Sequence, residues 1–437
     1  MNKDAESKKV PKLRFKEFSG EWMEKKLKEV TSYVDYRGRA PVKTDSGHFL
    51  VTAKNIKHGY IDYECSKEYV GIDNYHHVMS KGLPDIGDVL FTTEAPMGNV
   101  AQVDIKNIAL AQRVIKFRGK NTLNNDFLKH YMLGFPFQKK LLSHAFGSTV
   151  LGIQGKILHN LKLLIPTLPE QQKIADCLST WDEVIETQKS LIEAKKLYKK
   201  GMMQKLFNGK LKVENGKCFF EEPSFRFSPS QAEIDEAIEN GKLKNENGTW
   251  IASEDSQIIF NSQLSTFNYR DWVEKKLGEV AKISTGNSNR EDSSLDGEYT
   301  FFDRSEDIRT SSIYLFDGEA VIVAGEGQRF IPKYFIGKFD LHQRTYAIMD
   351  FKDACGKFIF YKVYTKQNYF LAQAVGSTVK SLRLPMFIKM PLKLPCLQEQ
   401  TKIANFLSAL DDEIELLEQE LEQLQLQKKG LMQGMFV

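Results

Sequence analysis

"PEQQKIADCLSTWDEVIE" at 169–186 and "QEQTKIANFLSALDDEIE" at 398–415 are two versions of one phrase, 229 residues apart. The same offset links "KKGMMQKLF" (199–207) to "KKGLMQGMF" (428–436), and "FGSTV" from Phe146 to "VGSTV" from Val375. Further upstream, "WMEKKLKEV" from Trp22 returns 250 residues later as "WVEKKLGEV" from Trp272, identical at seven of nine positions. Each half therefore runs in the same order: a Trp phrase, a long body, a GSTV turn and a final segment. The period is far too long for a solenoid, and the chain reads as a tandem duplication.

The final segments have helical periodicity. In the second, apolar residues fall at Ile403, Leu407, Leu410, Ile414, Leu417, Leu421, Leu424, Leu431 and Met435, with Lys428 in one seam position. This alternating spacing of three and four predicts a coiled coil. The first keeps the register with Ile174, Leu178, Trp181, Ile185, Ile192, Met202 and Leu206, and puts Gln188, Lys195 and Lys199 in the seam. About 38 residues at ~1.5 Å each make a rod of about 57 Å. Two amphipathic helices covering separate cores would explain poorly why both stripes end in the same phrase.

The bodies carry short β-branched and aromatic runs bounded by Gly or Asp: "GDVLFT" (87–92), "RVIKF" (113–117), "AVIVAG" (320–325) and "RTYAIM" (344–349). These predict strands, with short helices near 125–134 and 356–365. The expected fold class is α+β: two sheet-rich globules at 10–167 and 269–396, joined by two long antiparallel helices at 168–207 and 397–437. Because each globule precedes its helix, antiparallel pairing would set the globules at opposite ends of the rod about a pseudo-twofold axis. The polar stretch 208–268, with its own echo "GKLKVENG" (209–216) and "GKLKNENG" (241–248), reads equally as a connector or a small insertion.

A chain of 437 residues with 41% hydrophobic and 27% charged residues fits a soluble protein of two or three domains. No apolar run approaches the ~18 residues of a membrane helix, and the N-terminus has no signal-peptide core. Five cysteines without a CxxC pair suit a reducing cytoplasm. Positive charge collects in the bodies: 26 Lys and Arg against 17 Asp and Glu over 1–167, and 19 against 16 over 269–396. The helices carry 7 against 6 and 3 against 8. The bodies are thus the parts suited to approach phosphates.

Signatures of catalysis are missing. The sequence holds no GxxxxGK[ST], no H-E-x-x-H, no paired Cys/His grouping and no Gly-rich turn for a nucleotide or methyl donor. "PDIGD" (84–88) is followed by Glu94 but by no Glu-x-Lys, which leaves a metal-dependent nuclease centre unsupported. His76 and His77, adjacent on an expected strand, would face apart. The expectation is a chain with no catalytic residues, no metal and no cofactor of its own.

The duplicated motifs carry a family resemblance over nearly the whole chain. Together, "VPKLRFKEFSGEW" (10–22), "GDVLFT", "GSTVLGIQGKILHNLKLLIPTLPEQQKIA" (147–175), "GSTVKSLRLPMFIKMPLKLPCLQEQTKIA" (376–404) and the closing KKGxMQ of each half resemble the specificity subunit of type I restriction–modification systems. The resemblance implies two target recognition domains joined by two conserved helices, without a catalytic site. It implies binding to double-stranded DNA and to two methyltransferase (M) subunits, which in turn can recruit motor-nuclease (R) subunits. Methyl donor, ATP and magnesium would belong to those partners, and the location would be cytoplasmic. The sequence departs from the family at "STFNYRDW" (265–272), a degenerate opening phrase, and in its long connector. B-DNA turns once per ~34–36 Å, so two readers on such a rod would contact two short sequences separated by untouched base pairs. The bodies differ, so the expected target is bipartite and asymmetric. The alternative is a duplicated coiled-coil scaffold for proteins that never touches DNA.

Candidate contacts follow from side-chain chemistry, since the resemblance carries no base contacts over. Arg, Lys, Gln and Asn suit base edges, and Ser, Thr and Lys suit phosphates. The first body offers Arg37 and Arg39; Lys54, Asn55 and Lys57; Gln112 and Arg113; and Ser148, Thr149 and Lys156. The second offers Gln343 and Arg344; Ser377, Thr378, Lys380 and Arg383; and Arg290, Arg304, Arg329 and Lys333. A solvated surface charge is the competing account of each, and GSTV reads as well as a Gly-turn that packs body onto helix.

Overall fold

The computed structural model describes residues 9–36, 41–208, 211–214, 217–220, 272–294, 296–305 and 307–437. The protein is α+β, with two sheet-rich bodies and two long helices, Leu168–Asn208 and Leu397–Met435. It divides into two compact units, Met1–Leu191 with Leu417–Val437, and Ile192–Leu416. Both divisions fall inside the long helices. Each unit therefore holds one body, the first half of that body's own helix and the second half of the other.

In the first unit, a four-stranded antiparallel sheet runs in the order Thr31–Asp35, Val114–Gly119, Val89–Thr92, Val100–Gln102. Side chains alternate across a strand, and both faces of this sheet are used. Val89, Phe91, Ile115 and Phe117 enter the core shared with the helices, while Leu90, Ala101 and Val114 enter a second core. That second core lies with a smaller sheet of Tyr69–Val70, His48–Val51 and Ala109–Leu110. Coverage of both faces explains why Val89–Thr92 is buried throughout, with apolar side chains at Val89, Leu90 and Phe91. His76 and His77 sit on a helical turn, Tyr75–Val78, not on the expected strand; both are exposed.

The second unit replaces this pair of sheets with one of six strands: Lys282–Thr285, Thr345–Met349, Phe316–Ala324, Lys333–Leu341, Tyr299–Phe302, Arg309–Ser311. All neighbours are antiparallel except Tyr299–Phe302 with Lys333–Leu341. Val321, Val323, Tyr346 and Ile348 face the helical core, and Ala320, Ile322 and Ala347 face a small cluster around Phe302 and Phe339.

Within each unit the two long helices run antiparallel, and the polar seam residues find partners. In the first unit Lys428 pairs with Asp182, and Gln188 Nε2 donates to Leu417 O (3.1 Å) and Glu420 Oε2 (3.0 Å). In the second, Lys195 lies 2.7 Å from Glu413 and Lys199 pairs with Asp411. Ile174, Leu178, Ile185, Ile192, Ile403, Leu407, Leu410 and Ile414 are buried, and Trp181, Leu417, Leu421 and Leu424 are half-buried.

The repeated phrases meet at a joint that is built twice. Met23–Lys26 pairs with Lys162–Ile165, and Val273–Lys276 with Pro391–Leu394. Trp22 Nε1 donates to Glu170 Oε1 (3.2 Å), and Trp272 Nε1 to Glu399 Oε1 (3.0 Å). The next residues, Gln171 and Gln400, accept from the backbone N–H of Asn124 (2.9 Å) and Cys355 (3.0 Å). Both then donate to the carbonyls of Pro166 and Pro395 at 2.9 Å. The far end of the other helix closes each joint, with ring centroids 5.8 Å apart for Phe436 and Phe127 and 5.3 Å for Phe207 and Phe358. Of the stretch 208–268, a hairpin of Leu211–Glu214 with Lys217–Phe220 is described; its reading as connector or insertion otherwise lies outside the described residues.

Candidate nucleic-acid interface

In the first body, several loops converge beyond the end of strand Val89–Thr92. The N–H of Thr93 donates to Arg113 O, and that of Ile153 to Thr93 O, both at 3.0 Å. Glu94 bridges to Gly152, which exchanges hydrogen bonds with Phe146. The GSTV turn is therefore stitched to the sheet edge beside the Gln112–Arg113 bend. Gly147 has φ +96°, and a Cβ there would lie 2.2 Å from Val150 O; Gly376 has φ +110° and the matching distance is 2.3 Å. Only glycine closes this turn without strain, and Ser148 and Thr149 stay exposed at its tip.

Arg113 Nε lies 3.0 Å from Glu94 Oε1, with exposed Gln112 beside it in sequence. Asn99 Nδ2 donates to Ile56 O (2.7 Å), which ties the loop of Lys54 and Lys57 to the same edge. Lys54 is exposed, and Lys57 lies 3.9 Å from Asp62. Asn55 does not belong with them as a contact residue. It is fully buried, accepts from Thr52 Oγ1 (2.7 Å), and donates to the carbonyls of Asp62 and Ser66 (2.9 Å each). Its amide shapes the loop from within. Lys156 is exposed on the short helix Gly155–Asn160. Arg37 and Arg39 lie outside the described residues.

The second body repeats the frame. The N–H of Gly325 donates to Arg344 O (2.8 Å), that of Leu382 to Gly325 O (2.7 Å), and Val375 exchanges hydrogen bonds with Ser381. Glu326 and Gly327 pair with Ser381 and Lys380. Glu326 here holds two guanidiniums, Arg344 at 2.7 Å and Arg304 at 3.1 Å. Arg304, Arg329 and Lys333 line a cleft of about 660 Å³ with Asp303, Ser305 and Glu326. Arg290 approaches Asp303 at 3.9 Å, and Gln343 Nε2 donates to Asn289 Oδ1 (2.6 Å). Ser377, Thr378 and Arg383 are exposed.

Burial alone would raise the Asp303 carboxyl, but hydrogen bonds from Ser305 and the charges of Arg290 and Arg309 hold it below the usual carboxylate range. Burial also pushes the His342 imidazole down, with Arg304 and Arg344 adding to it and Asp303 and Glu326 opposing it. The fixed cations of this edge are arginines and lysines. Arg113, Arg304 and Arg344 are each more than half exposed, so a guanidinium braced by one carboxylate still turns donors outward, the arrangement that suits a phosphate or a base edge.

Sequence reasoning missed Glu94 and Glu326, the carboxylates that brace these arginines. A signal exists: each is the first charged residue after a buried strand run, "VLFTTE" and "VIVAGE". Among the described residues, no group of His, Cys, Asp and Glu is arranged to hold a metal ion, and no helix is long and apolar enough to cross a membrane.

Comparison with known proteins places the chain in a family. The family model for the type I restriction modification DNA specificity domain matches twice, at residues 19–195 and 269–426. The chain is similar to the EcoDI specificity subunit of Escherichia coli, 33% identical over 154 residues, a stretch covering 35% of this chain and 34% of that one. It is similar to the MjaVIII specificity subunit of Methanocaldococcus jannaschii, 26% identical over 330 residues, covering 74% and 72%. In fold it resembles the S subunit of the type I restriction–modification system from M. genitalium, with TM-score 0.57, 15% identity, and 98% and 99% of the two chains covered. The alternative of a scaffold that never touches DNA finds no support in these matches. Both matched segments begin at a Trp phrase and end inside a long helix, and the protein belongs to the type I restriction–modification DNA specificity family, in which it serves as a sequence-specificity subunit.

Proposed function

We propose that this subunit reads a bipartite, asymmetric sequence in double-stranded DNA, one half-site per body, and directs partner enzymes to it. The observation that carries this reading is the pairing of a common frame with different bodies. Glu94–Arg113 and Glu326–Arg344 stand at the same knot of backbone hydrogen bonds, yet one knot ends a four-stranded sheet and the other a six-stranded one. Equivalent frames orient two readers alike, and different loops read different bases.

In this reading the bodies at 10–167 and 269–396 are the target recognition domains, and the helices at 168–207 and 397–437 form an antiparallel coiled coil that relates them by a pseudo-twofold axis. The antiparallel pairs inside each unit support that arrangement. The subunit itself is not catalytic and works in the cytoplasm. Two M subunits bind it and carry the methyl donor; R subunits, joining through them, carry ATP and magnesium. The test is an exchange of the first body, residues 31–161, for that of another such subunit, followed by mapping methylated sites in cells. One half of the motif should change and the other persist; a change in both halves, or in neither, overturns the reading.

A further inference from the structure

We propose that Gln328 and Arg329 form the base-reading pair of the second body, with Arg329 directed to the O6 and N7 acceptors of a guanine and Gln328 to an adjoining adenine in the major groove. The proposal rests on the reading above that each body takes one half-site.

The cleft of about 660 Å³ has three cations on its walls, and two are occupied. Arg304 is drawn to Glu326 at 3.1 Å, and Lys333 Nζ donates to Ser305 O at 3.0 Å. Arg329 is exposed and makes no ion pair or hydrogen bond among the described residues. Gln328, also exposed, stands next to it on the same rim.

The loop that carries them is held at both ends. Gly327 pairs with Lys380 in a two-residue ladder. Phe330 is fully buried; its N–H donates to Gln367 Oε1 (3.1 Å) and its carbonyl accepts from Gln367 Nε2 (2.6 Å). Two exposed donors between two fixed points lose little freedom when they engage a base, which is what discrimination requires.

The first body supplies an internal control. Gln138, which stands 229 residues before Gln367, donates from Nε2 to Gly98 O (3.0 Å), as Gln367 does to Phe330 O. The frame is the same, but the residues between Glu94 and Gly98 are Ala95, Pro96 and Met97. Pro96 and Met97 stand where Gln328 and Arg329 stand, and they offer no side-chain donor. Bidentate guanine reading at this point therefore belongs to one half-site only.

The test is methylation mapping by the assembled complex carrying Arg329→Ala, Gln328→Ala or Arg329→Gln. Arg329→Ala should lower discrimination at one guanine of one half-site by roughly tenfold to a hundredfold, and leave the other half-site unchanged. Arg329→Gln should move the preference at that position toward adenine. An unchanged motif, a change in both halves, or a uniform fall across all sites would overturn the proposal, the last because it marks a phosphate contact. Should Arg329→Ala lose all methylation, Arg329→Gln decides: adenine at the same position supports the pair, and silence from a folded complex removes it. Exchange of the whole second body is run beside them. If that exchange alters a half-site and the point variants do not, only this proposal fails; if the exchange alters nothing, the two-reader reading fails.

Discussion

The two joints of this protein are nearly the same object, and the two edges are not. At the joints, Trp22 and Trp272, Glu170 and Glu399, and Gln171 and Gln400 repeat both position and hydrogen bond, and Phe436 and Phe207 repeat the ring contact. At the edges, the backbone knot repeats while the loops hung on it diverge, apolar Pro96 and Met97 in one and Gln328 and Arg329 in the other. A part that must seat the same pair of helices has one solution, found twice. A part proposed to tell one sequence from another gains by differing.

The largest difference between the joints lies at the tryptophans, which are alike in wiring and unlike in burial. Trp22 is 1% exposed, whereas Trp272 is only partly buried. Trp22→Ala should therefore destabilise the protein by about 3–5 kcal/mol, and Trp272→Ala by distinctly less. Urea unfolding followed by circular dichroism measures both. Equal losses would mean that the wiring, rather than the burial, sets the strength of a joint.

A second difference lies beside the incoming phenylalanine. Tyr131 packs on Phe436 with centroids 5.4 Å apart, whereas Lys362 sits over Phe207 at 4.8 Å and over Trp272 at 5.3 Å. Burial, with Lys366 and Lys393 nearby, pushes the Lys362 ammonium down to about 8. The sign follows from proton counting. Below pH 8 both states hold the proton, and the cost of burying the charge is present in full. Between about 8 and the ordinary lysine value near ~10.4 the unfolded chain binds the proton and the folded chain does not, so stability rises with pH. Relative to Lys362→Met, the wild type should gain on the order of 2–3 kcal/mol across that window, read as the pH dependence of the urea midpoint. A flat difference would place the ammonium in water.

At the turn glycines, by contrast, the two halves should behave alike. Gly147→Ala and Gly376→Ala each force a Cβ against a carbonyl oxygen at positive φ, at a cost of about 1–3 kcal/mol. Thermal unfolding should show similar losses for the two. A tolerated substitution at either would mean that its turn can open without harm to the edge.

The parts legible in the sequence are those whose physics is periodic or local. The seam positions Ile174, Leu178, Ile403 and Leu407 recur at helical spacing and are buried. The runs 87–92 and 344–349 were strands by composition and remain so as Val89–Thr92 and Thr345–Met349. The helices expected near 125–134 and 356–365 form at Asn125–Leu133 and Gly356–Tyr364. What could not be read depends on long-range contact. Asn55 looks like any loop donor until Asp62 and Ser66 fold around it. The role of Glu94 and Glu326 exists only once arginines 19 and 18 residues later reach back to them. The exchange of helix ends between units needs the fold of both halves, because Phe207 and Phe436 are each far in sequence from the aromatic residues they meet.

The smallest expected effect concerns those two glutamates, and it separates bracing from stability. Glu94 is 42% exposed and holds one arginine; Glu326 is 14% exposed and holds two. Pairs this open contribute about 0–1 kcal/mol, so Glu94→Gln and Glu326→Gln should leave the unfolding midpoint almost unmoved. Each substitution nevertheless removes a negative charge from the edge proposed to meet phosphates, and releases the arginines it held. Non-specific DNA binding should strengthen slightly in both variants, with a steeper dependence on salt, because freed guanidiniums neutralise more phosphates. Selectivity should fall in one half-site for each variant, and further for Glu326→Gln, since two side chains lose their fixed direction there against one. Competition binding of the assembled complex against mismatched half-sites reads this directly. An equal loss in both variants would mean that one braced arginine per edge does the orienting and that Arg304 is a bystander. A fall in the half-site opposite to the substituted body would contradict the assignment of one reader to one body.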